Sequence, residues 1–318
     1  RIEWKQPLKG GRDGHHDLAA TDYTDLALDV EESPFITELA QYNLGLKKLR
    51  IPGVSDTDVH LAAGNFVASE GWAYGAEFPV TIVTEDTARA WAQSYIPTQG
   101  HTTIDYPCHG YRRQHPFGAY GDYLSSIGGA VAGIEAKMAQ KYGGFQKAPA
   151  GQEFDISAVF KRLITDTTME PEPVKDYLLN PLGIRAVMNH NGSIRLWGAR
   201  MPSSTYQGPL WTHKLYCALH LVEELRSNLL RYTFDINDPR LRGKVTRTIR
   251  DLMRPHWRAG WFEGGSFDAA VSITCNESNN PSEVRELGRV VAEVSVTFVN
   301  TAEEIDFTIG TQGIAVSI

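Results

Sequence analysis

The sequence predicts an α+β protein: an α/β part followed by a C-terminal part in which helices cover a mainly antiparallel sheet. Three observations predict this order. Helix, strand and helix patterns follow one another between residues 56 and 94. Two long amphipathic helix patterns begin after residue 209. Four stretches that alternate apolar and polar residues then lie between residues 271 and 318, and each has a single apolar face.

The α/β part is predicted from three neighbouring elements. Residues 56–70 begin with Asp56, which is suited to cap a helix, and then repeat apolar residues at helical spacing. Residues 77–84 are largely apolar and predict a short strand that is buried on both faces. Residues 84–94 predict a second helix. Residues 168–173 are rich in proline and glutamate and predict a surface linker.

The C-terminal part is predicted from two amphipathic helices, at 210–230 and 241–253, and from the alternating stretches that follow them. The change in character places a domain boundary near residue 205. The predicted domains are therefore 1–205 and 206–318. The four strand-like stretches are residues 271–275, 292–298, 305–309 and 314–318.

Composition excludes several classes of protein. The chain of 318 residues is 42% hydrophobic and 22% charged, which is typical of a folded domain rather than a disordered one. No apolar run reaches the about 18 residues that a membrane-spanning helix needs. The net charge of −7 argues against general nucleic-acid binding. The three cysteines form neither a disulfide framework nor a zinc motif, and the absence of an initiator methionine suggests that an N-terminal piece precedes Arg1.

The glycine-rich segment at 128–133 has the glycine spacing of a phosphate-binding loop. Ile134 and Glu135 follow Gly133, however, where that motif needs Lys and Ser or Thr. The dinucleotide pattern fails as well, because Ala130 stands where its second glycine is needed. Close packing of a helix against another backbone is the interpretation that we prefer, and an α/β enzyme or nucleotide-binding protein that uses this segment is the alternative.

Metal and catalytic motifs are not indicated by the sequence. His213, Cys217 and His220 share one helix face and have a spacing that zinc sites use, but the leucine stripe beside them favours a structural role. The adjacent His15 and His16 are interpreted as a solvated loop. We therefore predict no catalytic, cofactor-binding or metal-binding residues.

A helix with two opposed faces is predicted at 240–258. This segment holds six Arg and one Lys against one Asp, a net charge of +6 in a chain whose total is −7. The apolar residues share one side of the helix and like charges share the other, which favours an acidic partner surface over a solvated face or DNA. The basic residues are Arg240, Lys244, Arg247, Arg250 and Arg254, and the apolar ones are Leu241, Val245, Ile249, Leu252 and Met253.

Several short stretches, taken in order, match the motifs of one family. Residues 127–133 are similar to its S-G-A-V-A-G segment, and 196–200 (LWGAR) to its W-G-A-R-T, where Met201 replaces Thr. Residues 302–307 are similar to its A-E-F-I-x-F, where Glu304 replaces Phe. On these motifs the chain resembles the tail sheath proteins of contractile bacteriophage tails and contractile injection systems. The other matching stretches are 10–14 (GGRDG), 51–53 (IPG), 147–150 (KAPA) and 180–184 (NPLGI).

The resemblance implies a two-domain sheath fold and a mechanical function without an enzymatic activity. A sheath is a helical sleeve of identical subunits that contracts and drives an inner tube through a cell envelope. The implied partners are other copies of the chain, the inner tube protein, and the baseplate and tail terminator proteins. The resemblance implies no cofactor, no nucleic acid and no membrane insertion. It places the protein in the tail of a virion that is assembled in the bacterial cytoplasm, and it implies an N-terminal arm before Arg1.

The resemblance also gives roles to three groups of residues. The basic side chains of 240–258 are expected to touch an acidic tube surface. The C-terminal strand is expected to add to a sheet of a neighbouring subunit, the alternative being an edge strand of its own subunit. The small residues of 128–139 are expected to pack closely, so Gly133→Leu should disorder the domain. The C-terminal strand comprises Gly313, Ile314, Ala315, Val316, Ser317 and Ile318, and the structural motif residues are Gly129, Gly133, Trp197, Gly198 and Arg200.

Overall fold

The computed structural model describes a mixed helix and sheet protein, as the α+β prediction requires. The predicted linker at 168–173, the pair His15 and His16, and the boundary near residue 205 lie outside the described residues. The described residues are 48–51, 54–79, 85–94, 102–106, 109–112, 123–126, 128–156, 161–162, 182–190, 192–202, 210–302, 308–311 and 314–317.

The first part of the chain is built on a mainly parallel sheet. Its strand order is β1-β2-β3-β7-β8, with β8 antiparallel to β7 and the other neighbours parallel. A second, antiparallel sheet has the order β5-β4-β6. The elements are β1 (Lys48–Arg50), α1 (Thr57–Glu70), β2 (Ala73–Glu77), α2 (Glu85–Ser94), β3 (Thr102–Tyr106), β4 (His109–Arg112), β5 (Tyr123–Ser126), α3 (Gly128–Tyr142), β6 (Lys161–Arg162), β7 (Ile184–His190), β8 (Ser193–Trp197) and β9 (Arg200–Met201).

Helices cover both faces of the parallel sheet. Successive residues of a strand point to opposite faces. On β7, Ile184 belongs to a core cluster with Phe66 of α1, whereas Val187 belongs to a cluster with Val131 and Met138 of α3. The wound α/β layer that the sequence predicted is therefore present.

The predicted α1 is confirmed together with its cap. The Asp56 carboxylate accepts hydrogen bonds from the backbone N–H groups of Asp58 and Val59 at 2.9 and 3.2 Å. The helix ends at Gly71, whose φ of 69° lies in the left-handed region that glycine favours. The second predicted helix is confirmed as α2, which begins at Glu85.

The strand predicted at 77–84 overlaps an observed strand only at Glu77, and most of it lies outside the described residues. β2 runs over Ala73–Glu77, immediately after α1, and all five of its residues are buried. Its sequence, AYGAE, contains small residues and a buried glutamate, so it has no apolar run that marks it as a strand. Phe78 follows β2 and is buried outside it, and residues 80–84 lie outside the described part.

The C-terminal part contains two long helices, as predicted, and small antiparallel strand pairs. β11 pairs with β12, which confirms the stretches at 271–275 and 292–298. Within the described residues these strand pairs are two-stranded, and the helices α4 and α5 pack on the β11–β12 pair, as the prediction of a helix-covered antiparallel sheet requires. The elements are β10 (Leu210–Trp211), which pairs with β9, α4 (Thr212–Leu229), α5 (Pro239–Arg258), α6 (Phe267–Ala270), β11 (Val271–Thr274), α7 (Ser282–Glu286), β12 (Glu293–Val296), β13 (Thr308–Thr311) and β14 (Ile314–Ser317).

The core of the C-terminal part forms where α4 and α5 pack together. α5 starts at Pro239, behind Asp238, whose side chain accepts a hydrogen bond from the Leu241 N–H at 2.8 Å. Burying each large apolar side chain of its inner face contributes about 1.5–3 kcal/mol. That face comprises Leu241, Val245, Ile249 and Met253, which lie in one cluster with Cys217, Leu221, Trp261 and Phe262. No helix of the described residues has the length and apolarity to span a bilayer.

A buried ionic cluster joins the two parts. Oε1 of Glu135 on α3 accepts hydrogen bonds from Lys48 and Arg185, each at 2.7 Å, and from the Tyr216 hydroxyl of α4 at 3.0 Å. Desolvation by burial would raise the pKa of Glu135, but the charges of Lys48, Arg185 and Arg50 outweigh it and hold the pKa well below its usual range. The cluster therefore fixes β1, α3, β7 and α4 to one another.

Candidate interaction surfaces

The basic face of α5 is formed by the five predicted side chains, Arg240, Lys244, Arg247, Arg250 and Arg254. Arg250 is half-buried and the other four are exposed. The opposite side of the helix is buried, which confirms the two opposed faces that the sequence predicted. A helix presents a charged surface of this kind to solvent or to a partner.

Internal contacts hold the C-terminal half of the basic face. Nη1 of Arg250 lies 2.7 Å from Oδ1 of Asp268. The guanidinium groups of Arg250 and Arg254 each lie 5.5 Å from the centre of the Phe267 ring. These contacts make Arg250 part of the attachment of α6 to α5, a role that the sequence did not predict.

The N-terminal half of the basic face is less constrained. Lys244 lies 3.7 Å from Asp235, a pair in which both side chains are about half exposed and which is therefore weak. Arg240 and Arg247 have no ion pair and no aromatic partner within the described part of the chain. These two guanidinium groups are the members of the basic face that remain available to an external anion.

The C-terminal strand lies in a two-stranded ribbon. β14 pairs antiparallel with β13, from Thr308 opposite Ser317 to Thr311 opposite Ile314. Gly313 and Ile318 lie outside the described residues. Among the described strands, neither β13 nor β14 has a second neighbour, so each has one edge that no described strand covers. Within this chain the strand is thus an edge strand, the alternative that the sequence left open, and its donation to another subunit stays a prediction.

The N-terminus of α3 already holds a carboxylate. The N–H of Gly128 donates to Oγ of Ser126 at 3.3 Å, and Ser126 in turn donates to the Glu77 carboxylate at 2.6 and 2.7 Å. A Cβ atom at Gly128 would overlap that carboxylate. Glu77 therefore occupies the position at which a phosphate group would bind to this helix, which argues against nucleotide binding at 128–133.

Close packing of the small-residue face of α3 within the domain was expected and is wrong. Gly129 and Gly133 are exposed, and a Cβ atom at either would meet no described atom within 4 Å. Gly128 is the glycine of this segment that needs its small size. The physical reason is that Val131, Ile134 and Met138, rather than the glycines and alanines, form the buried side of α3. Gly133→Leu is therefore not expected to disorder the domain.

Two of the motif stretches meet at Gly183. This glycine has a φ of 74°, and a Cβ atom there would lie 2.5 Å from the Met201 carbonyl oxygen and nearer still to the Pro202 nitrogen. The NPLGI stretch therefore lies directly against the two residues that follow the LWGAR stretch. Trp197 ends β8, Gly198 has a φ of 115°, and Arg200 begins β9 with its guanidinium 5.6 Å from the Trp211 ring.

Three motif stretches line one cleft of about 400 Å³. Its charged lining residue is Lys147, whose ammonium group is hydrogen-bonded to Tyr142 at 2.8 Å and paired with Glu153. The described lining therefore offers no acid, histidine or cysteine to act as a base or nucleophile. The lining comprises residues 146–148, 150–151, 197–199 and 300–302.

The zinc-like spacing on α4 does not produce a shared site. His213 is held by the Val299 carbonyl at 3.1 Å, and Cys217 is buried in the helical core, where desolvation raises the pKa of its thiol to about 12. The ring of His220 packs instead against Trp261, with ring centres 5.4 Å apart. Among the described residues, neither His213 nor Cys217 belongs to a group of possible metal ligands.

The sequence missed the residues that act through tertiary contacts. Asp268 and Phe267, which hold Arg250, follow α5 in a separate short helix, and no local pattern connects them to the basic face. Gly183 was identified only as part of a motif. Its left-handed conformation was not foreseen, although glycine is the residue that adopts such a conformation most readily.

Comparisons with known proteins give a match in fold. No family model matches the chain, and no curated protein matches its sequence. A chain in the baseplate of the anti-feeding prophage superimposes with a TM-score of 0.70 at 15% identity, covering 92% of this chain and 75% of that one. A chain in the contracted sheath complex of the extracellular contractile injection system PVC gives 0.70 at 16% identity, covering 91% and 75%.

The helical sheath of the anti-feeding prophage in its contracted state is also similar, with a TM-score of 0.67, 16% identity, and coverage of 92% of this chain and 76% of that one. The similarity extends over both parts of the chain. The chain therefore has the fold found in these contractile injection systems, as the resemblance of its motifs implied.

Proposed function

We propose that this chain is a structural subunit of a contractile sheath. Such a subunit polymerises helically around an inner tube and contracts to drive the tube through a cell envelope. The observation that carries the proposal is the shared fold over about nine-tenths of the chain with sheath structures in the contracted state. The sheath-like motifs are separate support. They are features of the sequence, whereas the structural match, at 15–16% identity, is a likeness of fold.

The drive for contraction is the free-energy difference between two packings of the same subunits. Rigid-body rotation of subunits about their interfaces is a known class of such transitions. The buried Glu135 cluster suits this role because it fixes the two parts of the subunit to each other. The lining of the cleft, without an acid or histidine among its described residues, is consistent with a function that consumes no nucleotide.

Attachment to the tube is assigned to the basic face of α5. Each exposed contact of Arg240 or Arg247 with an acidic tube surface contributes less than about 1 kcal/mol and weakens with salt. Many such contacts in parallel hold the extended state, and each ring of subunits releases its own set on contraction. Electrostatic complementarity also gives this interface its specificity.

Attachment to neighbouring subunits is assigned to the β13–β14 ribbon. An isolated two-stranded ribbon is at best marginally stable in water, and a further strand at an open edge supplies the missing backbone hydrogen bonds. The open edges of this ribbon therefore suit β-augmentation between subunits. Baseplate proteins would contact the first ring of subunits, and terminator proteins would contact the last. The protein would then be located in the tail of a phage-like particle.

Negative-stain electron microscopy of the full-length protein tests the proposal. The protein alone or with its tube protein is expected to form tubes of uniform width. The variant Arg240→Glu/Arg247→Glu should keep self-assembly but lose decoration of the tube. The matched control Arg226→Glu/Arg285→Glu reverses two exposed charges outside the basic face and should decorate the tube normally.

Three outcomes contradict parts of the proposal. A full-length protein that forms no tubes under any condition contradicts the sheath function. Normal tube decoration by Arg240→Glu/Arg247→Glu contradicts only the role of the basic face. Retained polymerisation after deletion of residues 313–318 contradicts only the role of the C-terminal strand.

A further inference from the structure

Two histidines and a glutamate from different helices meet at the α4–α5 contact. His220 and Glu224 are four residues apart on α4, so they lie on the same face of the helix one turn apart. His256 of α5 approaches them, with its Nε2 2.7 Å from Oε2 of Glu224. The rings of His220 and His256 are 5.6 Å apart between centres and nearly perpendicular, at 82°. All three side chains are half-buried.

His220 differs from other histidines of the described structure in its hydrogen bonds. His60 bonds through both ring nitrogens, to Tyr74 and to the Glu77 carbonyl, and His213 bonds to the Val299 carbonyl. No hydrogen bond to either nitrogen of His220 is present within the described residues. The hydrogen bond between Glu224 and His256 joins the two helices without His220, so it does not explain why a histidine with unused ring nitrogens lies beside it.

We propose that His220, Glu224 and His256 form a three-ligand site for a transition metal ion of the zinc class. Their ligand atoms all lie within 4.8 Å of one another. Tetrahedral zinc with bonds of about 2.0–2.1 Å needs ligand atoms roughly 3.3 Å apart. Side-chain rotations that shift the ligand atoms by up to about 1.5 Å therefore close the site, and the ion takes the place of the hydrogen bond between Glu224 and His256.

The donor set decides the class of ion. Two imidazole nitrogens and one carboxylate oxygen suit zinc and its neighbours, whereas magnesium and calcium take mainly oxygen ligands. Three protein ligands leave a fourth position for water. The bound ion links α4 to α5 and thereby stabilises the C-terminal part of the subunit.

The surroundings hold the two imidazole rings in place. Trp261 is 2% exposed, and the centre of its ring lies 4.2 Å from the ring centre of His256 and 5.4 Å from that of His220. Phe145 packs on His220, with ring centres 5.8 Å apart. These aromatic contacts limit ring rotation and exclude water from one side, which lowers the entropy that the ligands lose on binding an ion.

A zinc titration of the chelator-treated full chain tests the site. We expect one zinc ion per chain, with a Kd of about 1 μM or lower in competition with a chromophoric chelator. Cobalt should bind in its place and give the absorption of a tetrahedral ion. Zinc, but not magnesium, should raise the Tm by a few degrees.

Variants distinguish this site from other ligands in the chain. His220→Ala and Glu224→Gln should each weaken zinc binding by at least about tenfold. Glu224→Gln leaves no cavity, so it keeps the test valid if His220→Ala does not fold. Glu223→Gln on the same helix and His15→Ala/His16→Ala in the N-terminal segment should bind zinc like the parent. Absence of zinc binding, or equal binding by parent and Glu224→Gln, overturns the proposal.

Discussion

Two glycine-to-alanine substitutions should change stability in opposite directions. Gly183 adopts a φ of 74°, and its added Cβ would overlap backbone atoms of Met201 and Pro202, which do not move as a flexible side chain does. Gly133 lies in the interior of α3, where its added Cβ would meet no described atom within 4 Å. The sequence alone favoured the reverse, because it attributed close packing to Gly133.

The two magnitudes follow from the local geometry. A non-glycine residue in the left-handed conformation costs about 1–2 kcal/mol. Overpacking against fixed neighbours adds about 1–3 kcal/mol, so Gly183→Ala should lower the free energy of unfolding by about 2–5 kcal/mol. Alanine is about 1 kcal/mol more favourable than glycine inside a helix, so Gly133→Ala should raise the free energy of unfolding by about that amount.

Urea unfolding of the unassembled chain, followed by tryptophan fluorescence and by far-ultraviolet circular dichroism, measures both effects. Gly129→Ala is the matched control, since it shares the exposed helical position of Gly133 and should be stabilising by a similar amount. A Gly183→Ala variant as stable as the parent would refute the close approach of the two backbones. If Gly133→Ala instead lowered the free energy of unfolding of the monomer, Gly133 would have to pack closely against another part of the chain, contrary to the structure.

Two further predictions concern buried ionisable groups. Burial lowers the pKa of His60 to about 4, and the hydrogen bond to the Glu77 carbonyl offsets only part of this effect. As pH falls, His60 is therefore protonated in the unfolded chain before it is protonated in the folded chain. The contribution of His60 to the free energy of unfolding should thus be complete above about pH 6.5 and should fall by up to about 3 kcal/mol between pH 6.5 and 4. Urea unfolding at a series of pH values measures this decline. The variant His60→Asn should show a weaker decline than the parent. Glu135→Gln should lower the free energy of unfolding by about 3–5 kcal/mol at pH 7, because it leaves the fully buried Arg185 beside a neutral amide. Since the pKa of Glu135 is lowered, the difference in free energy of unfolding between the parent and Glu135→Gln should shrink only as pH falls below about 4. A difference that shrinks nearer pH 7 would contradict the conclusion that the surrounding cations hold Glu135 ionised.

Helices with strong local signals were predictable from the sequence. α1 carries Asp56 as a cap, and α5 carries Asp238 and Pro239 at its start and an apolar stripe along one side. In these segments, capping, spacing and burial depend on residues within a few positions of one another. Local chemistry and tertiary packing agree there, so the pattern alone locates the element.

Elements that depend on distant contacts were not predictable. β2 is recognisable as a central strand only through its neighbours β1 and β3, because its own residues are mostly small. The buried side of α3 is set by β7 and β8, where Val131 and Met138 perform the packing role that was expected of the glycines and alanines. Tertiary context overrides weak local preference in both cases.

The candidate metal site shows the same division. The four-residue spacing of His220 and Glu224 is visible in the sequence, but the zinc-like pattern grouped His220 with His213 and Cys217, which lie in other surroundings on the same helix. His256 is 32 residues beyond Glu224, and only the packing of α5 on α4 brings it to them. A sequence can reveal half of a site that lies between two helices, and the structure must supply the other half.

The distribution of strong and weak interactions fits a subunit that changes neighbours without changing its own fold. The strong ones lie inside: removing one member of the Glu135 cluster, or truncating a large side chain of the apolar core between α4 and α5, costs about 2–5 kcal/mol. The surface features are individually weak or incomplete: the charges of Arg240 and Arg247, the exposed small-residue face of α3 and the open edges of the β13–β14 ribbon. Contacts of that kind bind firmly only when many subunits repeat them, and they can be exchanged ring by ring. A sheath that shortens by rotating rigid subunits requires this separation, because the interfaces must yield at a free-energy cost that leaves each subunit folded.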